Sequence, residues 1–335
     1  MILDNQSSFQ VSLIPSVSQK GLEQNTLVIK VCYRFSMDGE LVPTDGDEIS
    51  LLESFYGDPS CSSIETTYEG APFKEGFEVL IQGKCFPEKH QNALFLTASL
   101  SESSTGSSRL FWQKSVNVFG ERHIKNTVFG KTSTRPELLG EFDLKWENSF
   151  GGRCVAPNNK RFDHNPVGVG WKPKKTGVNR LPNILNESIS SLPRRSERAT
   201  GFAPIASQWA PRLALYEQYS KALLDVNSSL PEAYCVAPSN LYNCAPLDQQ
   251  FKKTPIFPCQ LILENWYREA PNLELMIKEA EMSLWHMPHF QRPKKLIPKC
   301  DTLLVNTTKQ EVTLLYRIGL EKSERDHDSD VILVE

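Results

Sequence analysis

The sequence predicts a mainly β protein of the β-rich α+β kind, with antiparallel sheets, a long loop-rich middle region and one or two helices. Three observations predict it. Apolar and polar residues alternate along several short stretches in both halves of the chain. The centre is dense in Gly, Pro and Asn and has almost no sustained periodicity. Helical spacing is confined to one or two segments.

Taken in order, residues 26–35 (TLVIKVCYRF) set Ile29, Val31, Tyr33 and Phe35 on one face and Lys30, Cys32 and Arg34 on the other. That is the period-two pattern of a half-buried strand. Asp38-Gly39 supplies a turn, because glycine tolerates positive φ and aspartate can bond its own backbone. Residues 79–86, 93–100 and 110–119 read as further strands, separated by Pro87, by the Ser/Thr/Gly run at 101–108 and by Gly120. Residues 302–305 and 312–318 predict a hairpin around Asn306-Thr307-Thr308-Lys309. The middle, residues 150–211, is punctuated by Gly151-Gly152, Asn165-Pro166-Val167-Gly168 and Leu181-Pro182-Asn183. It nevertheless carries Phe150, Phe162, Trp171, Leu181, Phe202 and Trp209, residues in which disordered chains are poor. An ordered, loop-rich region draped over a β core is expected. Pro211 suits the first turn of a helix, and residues 212–224 place Leu213, Tyr216, Ser220 and Leu223 on one side. Residues 273–285 fit a helix or a strand. The organisation expected is an N-terminal extension at 1–25, one domain at 26–320 and a charged tail at 321–335. Two β subdomains split near 120–150 are an option within that domain.

The 335 residues carry a net charge of −3 with both signs mixed throughout, which gives no electrostatic reason to expect a nucleic-acid partner. Residues 1–15 hold no basic residue and no long apolar run, so they do not read as a signal peptide. No apolar stretch reaches the roughly 20 residues that a spanning helix needs. A cytoplasmic protein with no membrane partner is expected. The eight cysteines are scattered with no CxxC pair, and are expected to be reduced.

Chemical constellations are sparse. His286, His289 and Cys300 are too few for a zinc site, which usually takes four ligands, and no metal or other cofactor is expected. Gly168-Val169-Gly170 has the composition of a phosphate loop without the strand-to-helix context that aims its N–H groups. Asp163-His164 and Glu121-Arg122-His123 offer acid–base partners without an identifiable nucleophile. There is no Gly-x-Ser-x-Gly elbow. The chain is therefore expected not to be an enzyme and to take no small-molecule substrate. The basic groups at Lys172/Lys174/Lys175, Arg194/Arg195/Arg198 and Lys294/Lys295 form a solvated face or a rim that contacts an acidic partner. Loops on a rigid scaffold commonly carry recognition. The candidate contact residues within the loop-rich middle are Trp171, Lys172, Lys174, Lys175, Arg180, Arg194 and Arg195.

Nine segments, in order, carry a family resemblance. They are residues 27–35 (LVIKVCYRF), 77–83 (FEVLIQG), 118–122 (VFGER), 146–152 (WENSFGG), 165–170 (NPVGVG), 181–184 (LPNI), 201–205 (GFAPI) with 209–212 (WAPR), 245–249 (APLDQ) and 301–304 (DTLL). The chain resembles a family long labelled a domain of unknown function, whose members are encoded beside the PAAR-repeat and VgrG spike proteins of type VI secretion systems. It departs from the family pattern at His123-Ile124, where an aromatic is usual, and at Leu185-Asn186, where an acidic residue is usual. The resemblance implies an adaptor or chaperone. Its partners would be a toxin effector, a PAAR-repeat protein or both, and indirectly VgrG. It supplies no catalytic residues. Two alternatives stay open: a delivered hydrolase or nuclease using His123, Asp163 or His164, and a passive structural component of the spike.

Overall fold

The computed structural model describes residues 1–104, 107–128, 130–153, 160–171, 179–189, 192, 198–229, 236–288, 292–321 and 329–335. It is mainly β, with three principal sheets and one α-helix among the described residues. The central sheet has seven strands. Across it run Gln250–Phe251, Phe77–Gln82, Lys299–Asn306, Glu311–Glu321, Glu23–Phe35 and Gln10–Val17, with Leu41–Thr44 also pairing onto Glu23–Phe35. All of these pairs are antiparallel except Phe77–Gln82 with Lys299–Asn306. A five-stranded antiparallel sheet runs Ile184–Asn186, Ser107–Phe119, Ala93–Ser104, Cys259–Glu264, Asn272–Ile277. A four-stranded sheet runs Ile2–Gln6, Ser329–Val334, Ser283–Pro288, Lys294–Leu296.

One hydrophobic cluster joins the three sheets. Leu27, Ile29, Val79, Ile81 and Leu314 of the central sheet meet Leu96, Trp112 and Leu261 of the second and Leu284, Val331 and Leu333 of the third. This follows from period-two alternation, since residues i and i+2 of each strand share a face. The cluster draws on strands from both sides of residues 120–150.

The expectation of a half-buried strand at 26–35 needs correction, because Glu23–Phe35 is buried on both faces over most of its length. The reason is a second layer, formed by residues 45–73 and 236–249, on the far face of the central sheet. There Lys30 Nζ donates to both carboxylate oxygens of Glu69, at 2.9 and 3.0 Å. Arg317 pairs with Asp301, and Lys74 pairs with Glu78. Glu78 also accepts N–H bonds from Cys244 and Ala245, each at 2.9 Å. Leu80 packs on Cys244 and Ala245 beside them. A buried charge is tolerated only when paired and hydrogen-bonded, and the covering layer is fastened to the sheet by Lys30–Glu69, by Arg317 Nη2 donating to Glu69 O at 2.7 Å, and by the Glu78 bonds to Lys74, Cys244 and Ala245.

Other expectations were refined by the fold. The hairpin at 302–318 is present, as Lys299–Asn306 pairs with Glu311–Glu321. The open segment at 273–285 is strand, Asn272–Ile277 and Ser283–Pro288. The Ser/Thr/Gly run does not end its strands, because Ser101, Ser103, Ser104 and Ser107 all stand in the ladder. Residues 1–25 are not a bare extension. Gln10–Val17 joins the central sheet, and Ile2–Gln6 pairs in parallel with Ser329–Val334. The last segment expected in the charged tail is thus a strand as well, while residues 322–328 lie outside the described residues.

Candidate partner-binding surface

In the loop-rich middle, the motif segments come together in one junction. The indole of Trp146, which is buried, donates from Nε1 to the Pro204 carbonyl at 2.9 Å. Asn165 is fully buried; its Nδ2 donates to the carbonyls of Trp146 (2.8 Å) and Phe150 (3.1 Å), and its Oδ1 accepts from Gly168 N–H (3.1 Å). Phe150–Gly151 pairs with Val169–Gly170. Gly151 and Gly168 are required by this closeness: a Cβ on either would stand 2.2 Å from Asn165 O or 2.6 Å from Ser149 O. Asn183 Nδ2 donates to Phe119 O at 2.9 Å, and Arg180 Nη2 donates to the side-chain oxygens of Asn183 (2.7 Å) and Asn148 (3.1 Å). The guanidinium of Arg122 is buried over the Phe119 ring at 3.8 Å. Burial without an acidic neighbour lowers it from its ordinary value to about 10.

Gly168-Val169-Gly170 is thus part of a pairing between loops. His123 contacts Glu121 at 3.3 Å, and His164 lies 5.9 Å from the Phe162 ring. No hydrogen bond or ion pair joins those two histidines among the described residues. His286 stands in a strand opposite Lys294 and Val331, while residue 289 lies outside the described residues. Cys32, Cys85, Cys244, Cys259 and Cys300 are buried free thiols and Cys61 is an exposed one; Cys154 and Cys235 lie outside the described residues. Burial pushes the thiols of Cys85, Cys244 and Cys259 up to about 12, so they stay protonated and pack as small hydrophobes. Trp112, Trp146, Trp209 and Trp266 are core residues, and Trp285 is exposed.

Of the candidate contact residues, Trp171 packs 5.8 Å from Phe162, and Arg180 braces the junction as described. Lys172, Lys174, Lys175, Arg194 and Arg195 lie outside the described residues.

The junction carries a surface that the sequence reading did not single out. The segment Trp209-Ala210-Pro211-Arg212 leads from the junction into the helix Arg212–Ser229. Arg212 Nη1 donates to Ile205 O at 2.6 Å and pairs with Glu53. Ser207 donates from its hydroxyl to Glu53 Oε2 at 2.9 Å. Burial pulls the Arg212 guanidinium down, but the Glu53 carboxylate outweighs it and holds the group above its ordinary value. This charged floor supports an open groove of about 670 Å³, walled by Leu51, Leu52, Phe55, Tyr68, Leu213 and Tyr216. Leu51 is 53% and Leu52 78% exposed. Behind it, Tyr242 contacts Phe73, Tyr68 and Tyr216 with centroids 5.1–6.4 Å apart, an aromatic base that stiffens the wall. The helix stripe expected from sequence is only partly covered: Leu213 and Tyr216 line the groove, and Leu223 stays 41% exposed beyond it. The signal available in sequence was the pair Leu51-Leu52 next to an acidic run, too short to read as a site. Neither Trp171 nor Arg180 lines the groove.

Fold and groove together define a class: a multi-sheet β protein whose loop-rich centre is a braced scaffold presenting an apolar surface beside its one described helix. The chain belongs to a bacterial family, because the family described as "Uncharacterized protein conserved in bacteria (DUF2169)" matches residues 20–317. No curated protein and no solved structure matches the chain. No described helix is long and apolar enough to cross a membrane.

Proposed function

We propose that the protein is a cytoplasmic adaptor, or chaperone, of a bacterial type VI secretion apparatus. In this reading it binds a toxin effector that contains or accompanies a PAAR repeat and promotes its loading onto the VgrG spike, with no covalent chemistry. The observation that carries the binding role is the groove, where two leucines stand exposed on a wall braced by the Glu53–Arg212 pair. Exposed apolar surface of this kind marks interaction sites in folded proteins. The secretion context rests on the ordered resemblance of the nine motif segments, several of which build the scaffold under the groove. An apolar segment of the cargo fills the groove and is shielded there until the spike assembles.

The test is co-expression with the effector or PAAR protein encoded beside this chain, followed by size-exclusion chromatography. Stable co-elution is expected, and it is lost with Leu51→Asp/Leu52→Asp. Both positions are exposed, so the double variant keeps the wild-type stability to within the roughly ±0.5 kcal/mol usual for each surface substitution. Separate elution of two folded proteins would overturn the adaptor reading. Toxicity on expression, abolished by His164→Ala, would favour a delivered enzyme instead.

A further inference from the structure

The four-stranded sheet covers the main core with one face, and among the described residues the other face is uncovered. Its inner residues Leu284, Val331 and Leu333 are fully buried. Its outer side presents Ile2 (71% exposed) together with Trp285 and Val334. Register sets one complete row across this outer face. Asp4 pairs with Ile332, Ile332 with Trp285, and Trp285 with Lys295. Directly paired residues share a face, so the row reads acid, aliphatic, aromatic, base from one edge to the other. The Gln6 amide donates to the Asp4 carboxylate at 2.6 Å, which keeps both side chains on that side.

We infer that this face docks onto a second copy of the same chain, about a two-fold axis that runs parallel to the strands between Ser329–Val334 and Ser283–Pro288. A rotation about that axis exchanges the two edges of the row. Asp4 of each copy then faces Lys295 of the other, and Ile332 faces Trp285, giving the self-complementary contact that a two-fold dimer requires. The other in-plane axis, perpendicular to the strands, would set Asp4 against Asp4 and Lys295 against Lys295, which like charges disfavour. Charge complementarity thus selects one arrangement. Within a single copy, Asp4 and Lys295 are three strand spacings apart, about 14 Å, too far to pair with each other. The four strands hold five, six, six and three residues, and at about 4.8 by 3.3 Å per residue they cover roughly 320 Å² on each copy. That lies below the area of stable specific interfaces and in the range of transient encounters, so the dimer is weak and reversible. It is separate from the groove and does not depend on the adaptor reading.

Sedimentation equilibrium of the full chain over a concentration series tests it. A reversible monomer–dimer equilibrium is expected. Asp4→Lys and Lys295→Asp should each weaken it by about tenfold or more, since either change sets like charges opposite one another at both symmetric contacts. Mixing the two variants in equal amounts should restore dimer. The lysine introduced by Asp4→Lys in one copy then meets the aspartate introduced by Lys295→Asp in the other, while the unchanged Asp4 and Lys295 also meet. Both positions are exposed, and the melting temperature of each variant confirms that it folds. A wild-type chain that stays monomeric to about 1 mM, the weak end of measurable association, overturns the inference. So does a dimer that the single variants leave intact, or one that the mixture fails to restore.

Discussion

Lys74→Met gives the sharpest test of the buried charges beneath the covering layer. Lys74 and Glu78 are 2% and 0% exposed, and Lys74 Nζ also donates to Thr302 Oγ1 at 3.2 Å. Burial pushes the Glu78 carboxyl up, but the charge of Lys74, its hydrogen bond and two backbone N–H groups together hold it below the ordinary glutamate range. Removing the lysine leaves a carboxylate in the sheet with the N–H groups of Cys244 and Ala245 and the Cys244 thiol but no countercharge, and breaking such a pair costs about 3–5 kcal/mol. With an unfolding entropy of about 2.1 cal/mol/K per residue, 335 residues give about 0.7 kcal/mol/K, so the melting temperature should fall by about 4–7 °C. Scanning calorimetry at neutral pH reads this directly. The pH dependence has a defined sign. In the wild type the folded Glu78 binds its proton less readily than the unfolded one. Its contribution is therefore complete above the unfolded value of about 4.3 and is lost as pH falls towards the lower folded value. In Lys74→Met burial is no longer opposed by the lysine, and protonation relieves the folded state, so the gap to the wild type narrows as pH falls. Adding Glu78→Gln should recover at least half of the loss. A Lys74→Met protein melting within 1 °C of the wild type at neutral pH would refute the idea that this pair holds the layer down.

Further outcomes follow from other sites. Asn165→Ala takes the Asn165 amide away from the Phe150 carbonyl and leaves Trp146 O and the Gly168 N–H with one backbone partner each, and should cost about 1–3 kcal/mol by urea denaturation; a loss under about 0.5 kcal/mol would mean that the junction tolerates the vacancy. Gly76→Ala should destabilise more than a surface change, because φ is +64° and a Cβ would lie 1.7 Å from Phe251 O; equal midpoints in denaturant would count against the close contact. In thiol labelling of the native protein, Cys61→Ser should remove one reactive equivalent, while Cys244→Ser should remove none until the chain is unfolded. Reversing the charge of Lys172, Lys174 and Lys175 together should slow cargo association and reduce its salt dependence if the basic rim steers the encounter; unchanged rates at low salt would remove that rim from the proposal.

The alternation at residues 26–35 and 302–318 was legible because period two survives in any strand with one apolar face. What sequence could not reveal was the second layer. Lys30 and Arg317 look solvent-facing until Glu69, from the covering layer, is brought beside both, its carboxylate on Lys30 and its carbonyl on Arg317. The strands at Ile2–Gln6 and Ser329–Val334 were missed for a related reason. Each is short and carries apolar residues on both faces, so neither shows the alternation of a half-buried strand, and each makes sense only opposite the other. The motif asparagines serve backbone geometry, which their place among loop glycines and prolines did not show: Asn165 and Asn183 spend their hydrogen bonds on carbonyls within the fold. The groove was illegible because its walls come from separate parts of the chain, Leu51–Phe55, Tyr68 and the first turns of the helix.

The parallel pairing of Ile2–Gln6 with Ser329–Val334 has a consequence for biosynthesis. Roughly 320 residues separate the two strands. At about 5–20 residues per second, the ribosome needs on the order of 16–64 s to deliver the second after the first. Throughout that interval the earlier strand has emerged with both edges vacant, and a chaperone or neighbouring nascent chain can occupy them. The four-stranded sheet can therefore close only once Ser329–Val334 has emerged, whatever has already formed in the rest of the molecule.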